Sequence, residues 1–143
     1  MFIFGNTSIQ RLSTCHKDIQ VIMKTAIESS TIDFGIAEGE RSIERQKELF
    51  DAGKSKIDGV TRKGKHNYSP SLAVDIYPFI NGAAVWDNET LSFLAGFIHG
   101  IAARLLEEGK ISHGLRWGGN FDMDGEILEQ SFDDRPHFEL VRS

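Results

Sequence analysis

The sequence predicts an α+β fold, in which helices flank a small antiparallel sheet within a single domain. The chain has 143 residues, which is the usual length of one domain. Segments with helical periodicity alternate along it with short strand-like segments, and this mixture is typical of α+β proteins. The hydrophobic share of 40% and the charged share of 26% are those of a globular protein. We therefore expect residues 1–143 to form one folded unit.

Three segments have the periodicity of helices, with apolar residues at spacings of three and four. The predicted helices cover residues 9–30, 43–52 and 89–107. Ser13 or Thr14 can cap the first helix, and Ser42 can cap the second. Gly53 and Gly109 follow the second and third helices, at the position where glycine commonly ends a helix.

Four short segments favour strands. They cover residues 32–38, 73–77, 115–117 and 136–141. Residues 53–72 contain three glycines, a proline and many polar residues, so they form a predicted loop. Loops of this length inside a compact domain are often functional.

Charge and cysteine content narrow the classes of partner. The formal net charge is −5, so the chain gives no overall electrostatic help toward nucleic-acid phosphates or anionic membranes, and we expect no nucleic acid partner. The single cysteine, Cys15, excludes an intrachain disulfide. Basic residues cluster between Lys54 and Lys65. Such a cluster is usually a solvated loop, and the alternative is contact with an anionic substrate.

Targeting signals are not recognisable in the sequence. No segment approaches the roughly 20 apolar residues of a membrane span, so we expect no membrane insertion. The N-terminus has a short apolar start without a preceding basic region, which is not the pattern of a secretory signal. The expected localisation is therefore the cytoplasm in which the chain is made. A monomer is the simplest expectation for its assembly.

Two predicted strands each place a polar residue among apolar neighbours. Asp75 lies between Val74 and Ile76, and it points away from them because side chains alternate along a strand. His137 has the same arrangement in the segment PHFEL, and His66 comes from the long predicted loop. Two histidines and one carboxylate are a common catalytic zinc set, which leaves a fourth position open. The alternative is that the strand histidine is structural.

Asp134 stands three residues before His137, in the segment DDRPHFEL. Pro136 has a fixed φ and biases Arg135 toward an extended conformation. A carboxylate at this place can reach a water molecule beside a metal that His137 holds, and the alternative is a turn aspartate. Glu139 shares the face of His137, where it can orient a ligand or act as an alternative base.

The segments KHNYSPSLAVDIYP and DDRPHFEL, with GERSIERQKELF upstream, resemble the M15 metallopeptidases. This group includes D-Ala-D-Ala carboxypeptidases and dipeptidases and the phage L-alanyl-D-glutamate endopeptidases. The small phage endolysins match best in length and motif, and the resemblance extends from about residue 9 to residue 141. It implies a compact, hedgehog/DD-peptidase-like α+β fold around an antiparallel sheet.

The resemblance also implies roles for individual residues. It assigns His66, Asp75 and His137 to zinc, and it assigns Asp134 to the base that takes a proton from water. It places Arg41 in the R-S-x-E-R-Q segment of the family, where an arginine contacts the scissile carbonyl or a substrate carboxylate.

The same segment contains Ser42 and Gln46, which are otherwise interpreted as a helix cap and a surface residue. Two features depart from many relatives. Gly64 stands where a serine is common, and eight residues rather than six separate His66 from Asp75. These departures leave the predicted ligands intact and affect the shape of the pocket.

A second metal site is predicted in the segment NFDMDGEI. Asn120, Asp122 and Asp124 occupy positions one, three and five of an EF-hand-like loop, and Gly125 occupies position six. Position twelve is Ser131 instead of the bidentate glutamate. Calcium binding is one interpretation of this segment, and an acidic glycine turn is the other.

The resemblance implies a zinc peptidase that cleaves the peptidoglycan stem peptide at the L-Ala–D-Glu bond. Such an endolysin remains in the cytoplasm and acts on the cell wall after the membrane is permeabilised. A D-Ala-D-Ala carboxypeptidase is the alternative within the same class, and a non-catalytic, zinc-stabilised binding module is the alternative outside it. The role of Asp134 distinguishes the enzyme from the binding module. A structural zinc site needs a fourth protein ligand and no base, whereas a catalytic site keeps a position open.

Overall fold

The structure is a computed structural model of the 143-residue chain and describes residues 1–120, 123 and 134–143. The helices are α1 (Asn6–Leu12), α2 (Lys17–Ser29), α3 (Ile43–Asp51) and α4 (Asn88–Glu107), with one 3-10 turn at Lys65–Asn67. The strands are β1 (Phe34–Glu38), β2 (Ala73–Ile80), β3 (Ala83–Ala84), β4 (His113–Trp117) and β5 (His137–Arg142).

The strands form one antiparallel sheet in the order β1-β2-β5-β4, and β3 pairs with the end of β2. The last strand in the sequence, β5, therefore lies at the centre of the sheet between β2 and β4. The predicted α+β class is confirmed. The prediction ended β2 at Tyr77, but β2 continues through Pro78 and turns back at Asn81 into β3.

One face of the sheet packs against α2 and α4 and forms the core. Its buried side chains include Val74, Ile76, Phe138 and Leu140, all of them at most 1% exposed. These residues alternate with polar residues that point to the other face, as the period of a strand requires. Burial of each large apolar side chain contributes about 1.5–3 kcal/mol, so this packing holds the sheet in place.

The predicted single helix over residues 9–30 is wrong, because α1 and α2 are separate. Thr14 donates a hydrogen bond to the carbonyl of Arg11 at the end of α1 instead of capping a helix that follows. Buried Cys15 pairs as an isolated bridge with Ser71, and His16 caps α2 by accepting a hydrogen bond from the Asp18 N–H at 3.0 Å. A contact with a distant segment therefore breaks a helix that local periodicity favours.

The predicted boundaries of the other two helices are confirmed within one residue. The Ser42 hydroxyl accepts a hydrogen bond from the Arg45 N–H at 3.1 Å and caps α3. Gly53 and Gly109 follow α3 and α4 with φ values of +75° and +74°, which glycine adopts without a steric penalty.

Helix α4 meets the length and hydropathy of a membrane span, so the prediction that no segment approaches one is wrong for this helix. Length and composition are weak evidence, because the core helix of a folded domain passes the same test. One side of α4 is buried in the core, through Leu91, Leu94, Ala95, Ile98, Ala102 and Leu105. Packing in the core therefore accounts for the apolar residues on this side of α4.

A buried carboxylate joins the start of α2 to the start of β4. Asp18, whose side chain is 3% exposed, accepts hydrogen bonds from the Ser112 N–H at 3.0 Å and from His113 Nδ1 at 2.7 Å. Burial acts to raise the pKa of Asp18, but the bonds from His113 and Ser112 outweigh it and hold the pKa below its ordinary value. The ionised form is therefore the one that the fold stabilises.

We predict that Asp18→Asn lowers the free energy of unfolding at pH 7 by about 1–3 kcal/mol, because a buried, charge-assisted acceptor is lost. The folded-state pKa is lowered, so the contribution is present above the ordinary carboxyl pKa and disappears as the pH falls through the folded-state value. Denaturant titrations of both proteins at several pH values measure this difference. The exposed Asp51→Asn is the control and changes little, and an equal loss in both variants would contradict the assignment.

Candidate metal centre

The pairing of β2 with β5 brings two of the predicted ligands together. Asp75 stands directly opposite His137 in the antiparallel register. Both side chains lie on the face of the sheet that is turned away from α2 and α4, whereas Val74 and Phe138 point into the core. His66 reaches the same point from the 3-10 turn that precedes β2.

Three ligand atoms form a nearly equilateral triangle. His66 Nε2 lies 3.1 Å from Asp75 Oδ1 and 3.2 Å from His137 Nδ1, and His137 Nδ1 lies 3.1 Å from Asp75 Oδ1. A tetrahedral zinc site with bonds of about 2.0–2.1 Å has ligand–ligand edges of about 3.3–3.4 Å. The donor spacing therefore suits one side of such a tetrahedron.

The outer nitrogens of both histidines are bound to acceptors, and this determines the tautomers. His66 Nδ1 donates to the Gly39 carbonyl at 2.6 Å, and His137 Nε2 donates to Glu139 Oε1 at 2.9 Å. Neutral rings then direct the lone pairs of His66 Nε2 and His137 Nδ1 toward Asp75 Oδ1. Three acceptors in contact without a donor repel one another, so the arrangement favours a positive charge, either a proton or a metal ion, between them.

The pKa shifts of Asp75 and His137 agree with a positive charge between the three atoms. Burial acts to raise the pKa of Asp75, but hydrogen bonds with His137 and His66 hold it far below its ordinary value. Burial acts to lower the pKa of His137, but bonds to Asp75 and Glu139 raise it to about 9. The surroundings thus favour positive charge at this point, and a proton and a metal ion compete for the same atoms.

Asp134 lies beside the triangle in a tight turn before β5. Its N–H donates to the Gly118 carbonyl at 2.9 Å, and its carbonyl accepts from the His137 N–H at 3.1 Å. A Cβ on Gly118 would lie 1.7 Å from the Asp134 carbonyl oxygen, so only glycine permits this approach. Burial and the nearby charge of Asp75 raise the pKa of Asp134 above its ordinary value.

Arg41 also faces the triangle, and its side chain is 13% exposed. Its Nη2 lies 3.8 Å from Asp75 Oδ2, its Nε donates to Glu38, and its Nη1 donates to Gln46 Oε1 at 2.9 Å. The backbone is bonded to the same region, because the Arg41 N–H donates to the His66 carbonyl at 2.7 Å. The guanidinium is therefore held in one orientation at the wall of the site.

Two neighbours of Arg41 have roles that sequence reasoning did not predict. The interpretation of Gln46 as a surface residue is wrong, since it is 2% exposed and binds Arg41. Asn67 was not predicted at all, yet its side chain donates to the Arg41 carbonyl at 3.0 Å and accepts from the Gly64 N–H at 2.8 Å. Its only sequence signal is its position directly after His66.

The site opens into a cleft of about 650 Å³, which has the size of a small-ligand site. The triangle, Asp134 and Arg41 lie in the cleft. Glu139 lines it as well, and its second oxygen accepts from Arg116 Nη2 at 2.6 Å. All five residues predicted for catalysis and zinc binding therefore occupy a single cavity. Their roles in catalysis and metal binding stay predictions.

A second group, His16, Asp18 and His113, also places possible ligand atoms within 4.8 Å of one another. Its hydrogen bonds argue against a metal. His16 Nδ1 accepts from a backbone N–H, so the neutral ring carries its proton on the other nitrogen. His113 and two groups of Ser112 already bind Asp18. This group forms the structural link between α2 and β4.

The predicted calcium loop stays a prediction. Asp122 and Asp124 lie outside the residues that the structure describes. Asn120 is described, and its N–H donates to the Trp117 carbonyl at 3.0 Å at the end of β4.

Comparison with known proteins agrees with the geometry. The family model for the phage L-alanyl-D-glutamate peptidase matches residues 1–141. The L-alanyl-D-glutamate peptidase of Escherichia phage T5 is 29% identical over 146 residues, which cover 98% of each chain. The crystal structure of the Serratia marcescens L-Ala D-Glu endopeptidase ChiX matches with a TM-score of 0.74 and 27% identity, over 97% of this chain and 90% of that one. The chain therefore belongs to the phage L-alanyl-D-glutamate peptidase family.

Proposed function

We propose that this protein is a zinc-dependent endolysin that cleaves the L-Ala–D-Glu bond of the peptidoglycan stem peptide. The observation that carries the proposal is the convergence of three acceptor atoms in a cleft that also contains a buried carboxylate and an arginine. Membership of the peptidase family and the names of both relatives support the choice of bond. The enzyme acts on the cell wall after the membrane is permeabilised.

His66 Nε2, Asp75 Oδ1 and His137 Nδ1 are the atoms that would hold the metal. Two imidazole nitrogens and one carboxylate oxygen suit zinc, although cobalt or manganese accepts the same ligands. When bound, zinc supplies a Lewis acid that polarises a carbonyl and lowers the pKa of water to about 7. Gly39 and Glu139 hold the two imidazole rings in the orientation that this requires.

Asp134 is the proposed general base. A raised pKa makes a carboxylate a stronger base than an ordinary aspartate, and burial beside Asp75 provides this shift. Asp134 takes a proton from the attacking water and passes it to the leaving amine. Its tight turn against Gly118 fixes the carboxylate relative to His137, three residues later.

Arg41 is the proposed group that stabilises negative charge on the substrate carbonyl oxygen. Its bonds to Glu38 and Gln46 fix the plane of the guanidinium, so little reorganisation is needed during the reaction. Its distance of 3.8 Å from Asp75 Oδ2 leaves the cation facing the reacting centre rather than paired closely with the ligand.

We predict that the purified protein releases peptidoglycan fragments with new L-Ala C-termini and D-Glu N-termini, and that a zinc chelator abolishes the release. Mass spectrometry of the digest with and without chelator identifies the ends. Activity that returns with zinc but not with magnesium supports the metal. Loss of a terminal D-Ala alone would replace the proposal with a carboxypeptidase, and activity unaffected by the chelator would refute metal dependence.

We predict that Asp134→Ala retains zinc but lowers kcat by about 10²- to 10⁴-fold, which is the usual contribution of a general acid–base group. His66→Ala is the matched comparison, and we expect it to lose both zinc and activity. Metal content and hydrolysis are measured on the same preparations. Loss of zinc in Asp134→Ala would make Asp134 a fourth ligand and favour the structural-module interpretation.

We predict that Glu139→Gln weakens zinc affinity by about 10-fold or more, because Glu139 orients His137 and increases its basicity. Competition with a fluorescent chelator measures the affinity. The exposed Glu48→Gln removes the same charge from an ion pair with Arg45 and serves as the control. Unchanged affinity combined with lost hydrolysis would instead identify Glu139 as the base.

A further inference from the structure

Counted over the described residues, the cleft has an excess of positive charge, whereas the whole chain has a negative net charge. The chain has 16 Lys and Arg residues and 21 Asp and Glu residues, which give its net charge of −5. Among the residues that the structure describes, eight of those cations line the cleft, together with four acidic residues. A concave surface of one sign raises the local concentration of ligands of the opposite sign. The cleft is therefore suited to an anionic ligand, although the whole chain is not.

Three of the four described acidic residues of the cleft are already bound within the site. Glu38 pairs with Arg41, Glu139 pairs with Arg116 and His137, and Asp75 belongs to the candidate metal triangle. Asp134, the fourth, lies beside the triangle in a tight turn. Within the described chain, none of these four acids forms an ion pair with Lys54, Arg62 or Lys63, which line the same cleft.

The segment after α3 also lines the cleft, and three of its cations are named the basic wall. The basic wall consists of Lys54, Arg62 and Lys63, all exposed. Lys63 Nζ lies 5.1 Å from the centre of the Tyr68 ring. Within the part of the chain that the structure describes, Lys54, Arg62 and Lys63 form no ion pair with a carboxylate. Their charges face the cleft and the solvent.

The backbone that carries the basic wall is linked to Arg41 by hydrogen bonds through the side chain of Gln46. Buried Gln46 donates to Ser55 Oγ at 2.8 Å and to the Ile57 carbonyl at 2.7 Å, and the same side chain accepts from Arg41. The Gly59 N–H donates to the Arg62 carbonyl at 3.0 Å and closes the turn. These hydrogen bonds therefore hold the backbone of the segment in place relative to Arg41.

We propose that the basic wall is a subsite for the free carboxylates of the stem peptide and makes the enzyme select acidic stems over amidated ones. This inference rests on the proposed function. In the substrate, the glutamate that follows the scissile L-Ala–D-Glu bond has a free carboxylate, and amidation removes that charge. Exposed cations act on encounter and binding, so selection appears in KM and weakens as salt increases.

The experiment compares two soluble peptides with the same L-Ala–D-Glu bond, one with a free carboxylate on the glutamate and one with an amide there. We expect the wild-type enzyme at low salt to cleave the acid with a kcat/KM about 10-fold higher than the amide. The triple variant Lys54→Gln, Arg62→Gln, Lys63→Gln brings this ratio close to one, mainly through KM. High salt reduces the wild-type ratio in the same direction.

The control is the triple variant Lys24→Gln, Lys47→Gln, Lys110→Gln, which removes the same charge from exposed positions outside the cleft. It retains the wild-type ratio. Zinc content and the free energy of unfolding, measured for both triple variants, exclude a general structural effect. A ratio near one in the wild-type enzyme, or a ratio that the basic-wall variant leaves unchanged, overturns the subsite.

Failure of the wild-type enzyme to cleave either peptide, while zinc is bound, is a failure of the proposed function rather than of the basic wall alone. A basic-wall variant that keeps the peptide ratio but loses binding to teichoic-acid-bearing walls would assign the cations to a wall polymer. That result also overturns the carboxylate subsite.

Discussion

The register between β2 and β5 is the constraint on which the candidate site depends. It places Asp75 opposite His137 on the open face of the sheet, and the pairing of β1 with β2 places Glu38 opposite Asp75 on the other side. A slip of one residue would turn Asp75 into the core and bring Val74 to the open face. Apolar packing of the opposite face against α2 and α4 prevents that slip, so the core determines the geometry of the polar site.

The three convergent acceptors connect the site to the stability of the fold. Buried acceptors that face one another are unfavourable unless a cation or a proton lies between them. Gly39 and Glu139 strengthen the repulsion between these acceptors, because each binds the outer nitrogen of a histidine and directs the lone pair of the other nitrogen inward. Binding of a cation at this point would therefore be coupled to folding and would stabilise the central pair of strands.

Local sequence patterns were sufficient to predict part of this structure. Strand alternation predicted that Asp75 and His137 point away from the core, and capping residues predicted the limits of α3 and the end of α4. Features that depend on distant partners were not predictable: the break at Cys15 arises from pairing with Ser71. The tautomer of His66 likewise depends on a carbonyl 27 residues away, which no short-range pattern reveals.

The side chain of Gln46 joins two parts of the cleft with opposite ends of one amide. Its oxygen accepts from the Arg41 guanidinium, and its nitrogen donates to Ser55 and to the Ile57 carbonyl. A glutamate has no donors for the second pair, and a lysine or arginine has no acceptor for the first. An asparagine is one methylene shorter. The position therefore requires both the polarity and the reach of glutamine, so a change introduced there to alter the wall also alters the orientation of the arginine.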